Sequence, residues 1–299
     1  MPTVNVAVPR KGRPLEAVLD RVATVSGHTS LADDVVSTLR YEKAVTKGDQ
    51  DAPDDAYERL AAYSDLEDPT GPEYTLVRDD RPGMPRRLVF DSVTVEVGGV
   101  DVCLVGREEP FRALRKHEVA LGFDSADLVL EEVVQLRADP LSTLAEVNER
   151  IDPRDTDVRL VDGLGDTVYH TLLASREATA DWDGDLTRAF VDNYRGPLCL
   201  SPRYERLVTA VLGEASLSGV DFVAPDHGET EEAAIAETGV GVYLTVTGGT
   251  ARDHSLVVGE RLFPSETVLL ENVPEVDEAA GRVKRTLTGV ETETELAIQ

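Results

Sequence analysis

The sequence predicts an α/β protein with largely parallel sheets. Three observations carry that prediction. Short apolar, β-branched runs alternate with stretches of helical periodicity along most of the chain. Polar, glycine- or proline-bearing turns separate them. The length, 299 residues, is enough for one large domain or two ordinary ones with ample core.

The elements follow in order. Val4 to Val8 is a short apolar run ended by Pro9 and reads as a buried strand. Leu15, Val18, Leu19 and Val22 follow at helical spacing, which makes PRKGR the strand-to-helix loop. Lys47 to Pro85, rich in Asp, Pro and Gly, reads as a surface insertion (residues 45–88 at its widest) with a helical island from Ala56 to Tyr63. VTVEV and VDVCLV flank Gly98-Gly99, a hairpin signal. Pro110 can open a helix, Ala120 to Phe123 forms a short strand, and Ala126 to Val134 forms another helix.

A helix is expected between Asp139 and Asp157, then strands at VRLV and YHTLLAS, then an acidic loop around the single tryptophan, Trp182. A helix from Leu186 to Tyr194, a strand at PLCLS, a helix from Tyr204 to Leu212 and a strand at VDFVA continue the alternation. A helix from Glu229 to Glu237 and the strand GVYLTV precede PSETVLLENV and a closing amphipathic helix through Val283. There is no internal repeat.

Composition narrows the function classes. The formal charge is -27, spread along the chain, and only five lysines occur: Lys11, Lys43, Lys47, Lys116 and Lys284. Nucleic acid and anionic membrane both need a basic footprint, so neither is an expected partner. With 41% hydrophobic residues the chain has the apolar content of a folded protein. No run approaches the roughly 20 apolar residues that span a bilayer, and MPTVNVAVPRKGRP lacks the pattern of a secretory signal. Cys103 and Cys199 form no CxxC and no disulfide framework. A soluble, cytoplasmic protein is expected, and the carboxylate excess suggests a host that lives in high salt, where such a surface stays hydrated.

Against that background, positive charge and phosphate-shaped turns stand out. Thr247-Gly248-Gly249-Thr250 suits an anion: paired glycines permit positive φ and bring N–H groups together, threonines add hydroxyls, and Arg252 adds a charged fork. A hairpin turn or helix cap is the plainer reading of the same residues. In PRKGR, Lys11 and Arg13 flank Gly12 at a helix start, where cations oppose the dipole unless they serve an anion. A solvated basic turn is its plainer reading. Asp124 and Asp127 could hold a ribose or a metal ion, or simply cap a helix. Glu229, Glu231 and Glu232 suit the start of a helix. His227 and His254 stand alone, no histidine pair has metal-ligand spacing, and there is no GxSxG, so no metal site and no nucleophile–base pair is read here. Both PRKGR and TVTGGTAR leave the carboxyl ends of strands, where ligands gather in α/β folds.

Taken in this order, the segments resemble ATP phosphoribosyltransferase of histidine biosynthesis. AVPRKGRPLEAVLDRV resembles that family's first strand, Lys-Gly-Arg loop and first helix. REEPFRALRKHEVALGFDSADLVLE resembles its Arg-x-x-Asp-Ile-Pro helix and Gly-Ile-Thr-Gly-x-Asp turn, and GETEEAA its Gly-x-x-Glu segment. TVTGGTARDHSLVVGERLFPSETVLLENV resembles the Thr-Gly-x-Thr-Leu phosphate loop with the strand and helix after it. The likeness runs end to end, interrupted near 45–88 and 136–195.

The resemblance implies a two-lobed α/β architecture of the type II periplasmic-binding-protein kind, with a central cleft. Lobe I would be residues 1–125 plus 267–299, and lobe II residues 126–266 with the phosphate loop. It leaves no room for the ACT-like regulatory domain of the long form. The implied reaction joins phosphoribosyl pyrophosphate (PRPP) to N1 of ATP and releases pyrophosphate, with Mg2+ on the substrate phosphates. A homo-oligomer is implied, and a histidyl-tRNA-synthetase-like regulatory subunit is conceivable by analogy with short-form relatives. Gly12, Thr247, Gly248, Gly249, Thr250, Ala251 and Arg252 would hold the substrates. Lys11 and Arg13 would face the triphosphate or pyrophosphate, and Asp127 and Glu231 match acidic positions of the family.

Three departures bear on this. Gly122-Phe123-Asp124-Ser125 replaces Gly-Ile-Thr-Gly, Ala251 replaces the Leu of the phosphate loop, and Tyr243 stands where the family has an Asp suited to the ribose hydroxyls. A phenol donates one hydrogen bond but cannot accept two as a carboxylate does. Asp253 or Glu237 is available to compensate. Two alternatives stay open: a non-catalytic PRPP- or nucleotide-binding regulatory module, and phosphoribosyl transfer to a different acceptor.

Overall fold

The computed structural model describes residues 3–64, 68, 70–78, 87–143, 145–225, 230–245 and 248–289. The elements are β1 (Thr3–Pro9), α1 (Gly12–Ser26), α2 (Thr29–Lys47), α3 (Ala56–Tyr63), β2 (Glu73–Val77), β3 (Arg87–Val97), β4 (Val100–Arg107), α4 (Pro110–Arg115), β5 (Leu121–Ser125), α5 (Ala126–Val133) and α6 (Ala145–Glu149). They continue with β6 (Val158–Gly163), β7 (Val168–Ala174), α7 (Arg188–Asn193), β8 (Gly196–Cys199), α8 (Glu205–Leu212), β9 (Val220–Val223), α9 (Glu231–Thr238), β10 (Val240–Thr245), α10 (Gly249–Asp253), β11 (Val257–Ser265), β12 (Thr267–Asn272) and α11 (Glu278–Thr288). The chain is mixed α/β and divides into two compact units. Unit 1 holds the chain up to Asp124, Asp157–Asp166, and Thr267 through α11; unit 2 holds Ser125–Thr156 and Thr167–Glu266.

Unit 1 is built on a seven-stranded sheet in the order β2-β3-β4-β1-β5-β12-β6. The buried run Val4, Val6, Ala7 and Val8 places β1 in its middle, parallel to β4 and β5, as a near-continuous apolar strand covered on both faces requires. Helix α1 lays Leu15, Val18, Leu19 and Val22 on this sheet, and Val283 and Leu287 of α11 join the same core. The Arg21 guanidinium, nearly enclosed, donates to Leu287 O at 2.7 Å and Gly163 O at 3.2 Å, which ties α1 to α11 and β6. Asp157–Asp166 is part of unit 1, where β6 pairs with β12. Within the expected 45–88 insertion, α3 and the edge strand β2 are described. Helix α3 begins at a capping box of Asp55 and Glu58 and is fixed to α2 by Arg59, which forks onto the buried Glu42 carboxylate at 2.7 and 3.0 Å.

Unit 2 has a five-stranded sheet ordered β11-β7-β10-β8-β9. Strand β8 runs parallel to β10 and β9, whereas β7 is antiparallel to both β10 and β11. The expectation of largely parallel sheets is therefore corrected: both sheets are mixed, because the Gly98-Gly99 hairpin and the returns at β7 and β12 add antiparallel neighbours. The helix expected between Asp139 and Asp157 shrinks to α6. Pro140 and Pro153 stand at its ends, and the buried Arg150 guanidinium instead binds the carbonyls of Asp139 and Pro140 at 3.2 and 2.9 Å. PSETVLLENV is divided at Glu266 between two strands. Strand β11 ends on the unit 2 sheet, and β12 begins on that of unit 1.

Candidate functional site

The sequence candidates fall into separate neighbourhoods. In unit 1, PRKGR leaves the carboxyl end of β1, and Gly12 takes a left-handed conformation (φ 78°) as α1 begins. The first turn of α1 has no acidic residue, so nothing local offsets its exposed N–H groups. Lys11, Gly12 and Arg13 line one side of a pocket of about 230 Å³ whose floor is Leu15, Leu19 and Leu88. Arg40 and Lys43 from α2 and Arg87 from β3 add charge, against one carboxylate, Glu16. A net positive cavity on a chain of charge -27 has either to pair internally or to receive an anion. Some of it pairs: Arg40 sits 2.7 Å from Glu16, and Lys11 3.6 Å from Glu108 across an exposed gap.

Arg13 is held more firmly. Its Nη1 donates to the main-chain carbonyl and, at 2.7 Å, to the carboxylate of Asp166. Asp166 in turn accepts from the Thr267 N–H at 2.8 Å and its hydroxyl at 2.7 Å. A guanidinium carries five donors, so this clamp orients Arg13 without consuming it. Asp166 had no signal in the sequence; it is one acid among many in an acidic chain.

The altered turn has a structural explanation. Phe123 is wholly enclosed in the unit 1 core, and Asp124 accepts from the Phe111 N–H at 2.9 Å, capping α4 from outside. Gly122 lies where a Cβ would meet Ala7 O at 3.1 Å and Leu114 Cδ1 at 2.8 Å, so it cannot be replaced without movement. The charge introduced by Asp124 is thus spent on a helix start.

Asp127 is also buried. Its Oδ2 lies 3.5 Å from His170 Nε2, both side chains almost fully enclosed, and the His170 ring packs edge-on against Tyr204 at 4.9 Å. Burial alone would raise the Asp127 carboxyl, but His170, Arg203 and Ser265 together hold it below its ordinary value. Burial and the Asp127 charge push the Tyr204 phenol up to about 12. Asp127, open in the sequence to a ligand or a cap and matching an acidic position of the resembled family, is here the centre of an internal cluster, and neither His170 nor Tyr204 was singled out beforehand.

The glycine loop of unit 2 opens a second pocket. Thr247 lies outside the described residues, as do His227 and Glu229. Gly248 is left-handed (φ 67°) and leads directly into α10, a conformation that favours glycine. Gly248, Gly249, Thr250 and Ala251 line a pocket of about 280 Å³ with Tyr243, Thr245 and Glu232. Ala251 contributes backbone there, since its methyl is buried against Leu173, Ile235 and Leu256. Arg252 is exposed beside the loop.

The wall opposite comes from β10 and α9. Tyr243 and Thr245 share one face of β10 by strand alternation, and the Thr245 and Thr171 hydroxyls meet at 2.5 Å across the β7–β10 ladder. Helix α9 starts at Thr230, whose hydroxyl accepts from Ala233 N–H, and carries Glu231 and Glu232 in its first turn. Burial raises the Tyr243 phenol above its ordinary value; the Glu231 and Glu232 charges raise it further, and its hydroxyl bonds toward Glu231. Glu237 and Asp253, available to replace the absent carboxylate, do not line this pocket; Glu232 does. The structure thus brings Glu231, Tyr243 and the glycine loop together in unit 2 and keeps Lys11, Gly12 and Arg13 together in unit 1. Among the described residues, no three His, Cys, Asp or Glu side chains gather as a metal cluster, and no helix is long and apolar enough to cross a membrane.

Comparison with known proteins agrees with the ordered motifs. A family model described as halobacterial ATP phosphoribosyltransferase matches residues 1–298. No curated protein sequence matches the chain. Among solved structures, the chain is similar to the ATP phosphoribosyl transferase (HisG:HisZ) complex from Thermotoga maritima, at 12% identity and TM-score 0.42, over 96% of this chain and 100% of that one. It is also similar to the arginine-bound form of truncated ArgBP from T. maritima, at 11% identity and TM-score 0.36, over 64% and 79% of the two chains. A third is the regulatory domain of MetR, a LysR family regulator from N. meningitidis, at 11% identity and TM-score 0.35, over 63% and 80%.

Proposed function

The chain belongs to the halobacterial ATP phosphoribosyltransferase family, and from that premise we propose that it transfers the phosphoribosyl group of PRPP to N1 of ATP. The observation that carries the reading is the pocket at the end of β10, where a left-handed glycine, backbone N–H groups and the Thr250 hydroxyl meet a carboxylate and a phenol. Such a surface can take a phosphate at one end and sugar hydroxyls at the other. Gly248, Gly249 and Thr250 would hold the 5′-phosphate.

In the reaction the N1 lone pair forms the new C–N bond as the bond from C1 to the pyrophosphate oxygen breaks, and pyrophosphate leaves with that electron pair. Negative charge therefore grows on the leaving group, and Lys11 and Arg13 would stabilise it. Arg13, aimed by Asp166, is already oriented, which lowers the reorganisation required during the step. Asp127 acts in this account as a positioning residue, since it is enclosed with His170 and Tyr204. Magnesium is a hard cation that takes oxygen ligands, and the phosphates supply them. It would arrive on the substrates and neutralise charge there. We further propose a cytoplasmic homo-oligomer, with a histidyl-tRNA-synthetase-like subunit as the regulatory partner implied by the family resemblance.

The burial of Asp127 and the phenol at 243 favour one competing reading, a protein that binds PRPP without turning it over. Turnover separates the two. In molar KCl with Mg2+, the protein should release pyrophosphate only when PRPP and ATP are both present. Tight PRPP binding with no release under those conditions would establish the binding-only reading instead.

A further inference from the structure

We propose that a cavity beside the single tryptophan, Trp182, binds a guanidinium group. The cavity, about 340 Å³, lies in unit 2 between the acidic loop 179–187 and the edge strand β11. It shares no lining residue with the glycine-loop pocket, so its ligand stands apart from the proposed reaction. Its size is at the lower end of the range for small-molecule sites, about 300–1,000 Å³. Trp182, Leu186 and Val258 give it an apolar side, and Thr179, Asp185 and Thr187 a polar one. Val258 is large and apolar, yet the fold leaves it exposed here.

The tryptophan is held as a platform. Its Nε1–H donates to the Asp185 carbonyl at 3.0 Å, and its ring meets the enclosed Phe190 edge-on at 5.6 Å. Phe190 in turn stacks on Tyr194. Gly184 lies so near the indole that a Cβ there would meet Nε1 at 3.1 Å. A Cβ at Gly259 would collide with Leu186, whose carbonyl accepts from the Glu260 N–H at 2.8 Å. The loop is thus docked on β11 through close approaches and still leaves the cavity open. An indole fixed in this way loses little freedom when a ligand stacks on it.

Charge selects the ligand. Glu260 is taken by Arg188, whose backbone N–H donates to it at 2.8 Å and whose Nε lies 3.3 Å away. Asp181, Asp183 and Asp185 form no ion pair with another described residue, and Asp185 lines the cavity. In molar salt a bare carboxylate is screened, and a small hydrated ion such as K+ gains little from an indole. A guanidinium is flat and weakly hydrated, stacks on aromatic rings and forks onto a carboxylate. It is the cation that uses Trp182 and Asp185 together. The group can arrive on a free small molecule or on an arginine of a partner chain, with the same chemistry.

One tryptophan gives one indole fluorescence signal and one indole N–H resonance, and both report on this cavity. The whole protein in molar KCl is titrated with acetyl-Gly-Arg-Gly amide and with its lysine and citrulline counterparts, citrulline being the neutral near-isostere of arginine. The arginine probe should give a saturable change in either signal. It should bind roughly tenfold or more tightly than the other two, which lack the forked charge-assisted bonds. Asp185→Asn should weaken the arginine probe by a similar factor and leave the free protein's signals in place, because the bond to Trp182 comes from the main chain. Free arginine separates the sources: tighter binding than the tripeptide points to a small molecule, and weaker binding to an arginine presented by a partner. No saturable change in either signal, or equal binding of the arginine and citrulline probes, would overturn the guanidinium site. An Asp185→Asn protein that binds the arginine probe as the wild type does would overturn the pairing with Asp185.

Discussion

Single residues in this chain do work that their identity does not announce. Asp127 sits in a helix-start position, where a carboxylate serves as a cap or a ligand, yet it is nearly enclosed against His170. Its folded-state pKa is depressed despite the opposing effect of burial. A depressed carboxyl binds protons less readily folded than unfolded, so its stabilisation is present above the ordinary value of 3.8 and disappears as pH falls through the lower folded value. Urea melts between pH 5 and pH 2 should therefore show a steeper loss of stability in the wild type than in Asp127→Asn. Identical slopes would mean that the pair contributes nothing to acid sensitivity. Arg13 and Asp124 teach the same lesson. Arg13, open in the sequence to an anion or to solvent, is clamped by Asp166; Asp124, open to a ligand or a cap, caps α4.

At the scale of elements, local signals set most of what the chain builds. The Ala56–Tyr63 island, the Gly98-Gly99 hairpin, Pro110 at a helix start and the β1–α1 transition are all visible in sequence because each depends on turn chemistry or periodicity within a few residues. Elements that depend on distant partners were not visible. The expected helix between Asp139 and Asp157 is cut down to α6, while the buried Arg150 guanidinium binds the carbonyls of Asp139 and Pro140, partners that no local pattern reports. Strand β11 was hidden because Gly259 and the Glu260-Arg261 pair interrupt its alternation, and register shifts break its ladder with β7 at the same place. The same division holds for the site: glycines 12 and 248 are legible from turn chemistry, whereas Glu232 looks like any acidic residue at a helix start. In the expected insertion, α3 depends on one buried ion pair. Arg59→Leu would leave the enclosed Glu42 carboxylate without its cation, with the Tyr63 hydroxyl still donating to it, and should cost about 3–5 kcal/mol by urea unfolding; a loss below about 1 kcal/mol would show that the pair is relieved by solvent.

For the whole molecule, charge is the governing quantity. With 57 acidic against 30 basic residues, the folded chain repels itself, and added salt screens that repulsion. We propose adaptation to high salt, and expect the melting temperature to rise steadily as KCl is increased into the molar range. A melting temperature that falls over the same range would rule that adaptation out. The same charge gives the cationic pocket beside PRKGR its meaning, since lysines and arginines gather there against the trend of the chain.

The central claim, transfer of a phosphoribosyl group to N1 of ATP, is tested most directly by the product. Incubation with PRPP, ATP and Mg2+ in molar KCl should yield one pyrophosphate for each ATP converted to its phosphoribosyl adduct by mass, with the new bond at N1 by NMR. Unchanged ATP, or pyrophosphate released without an ATP adduct, would contradict the account.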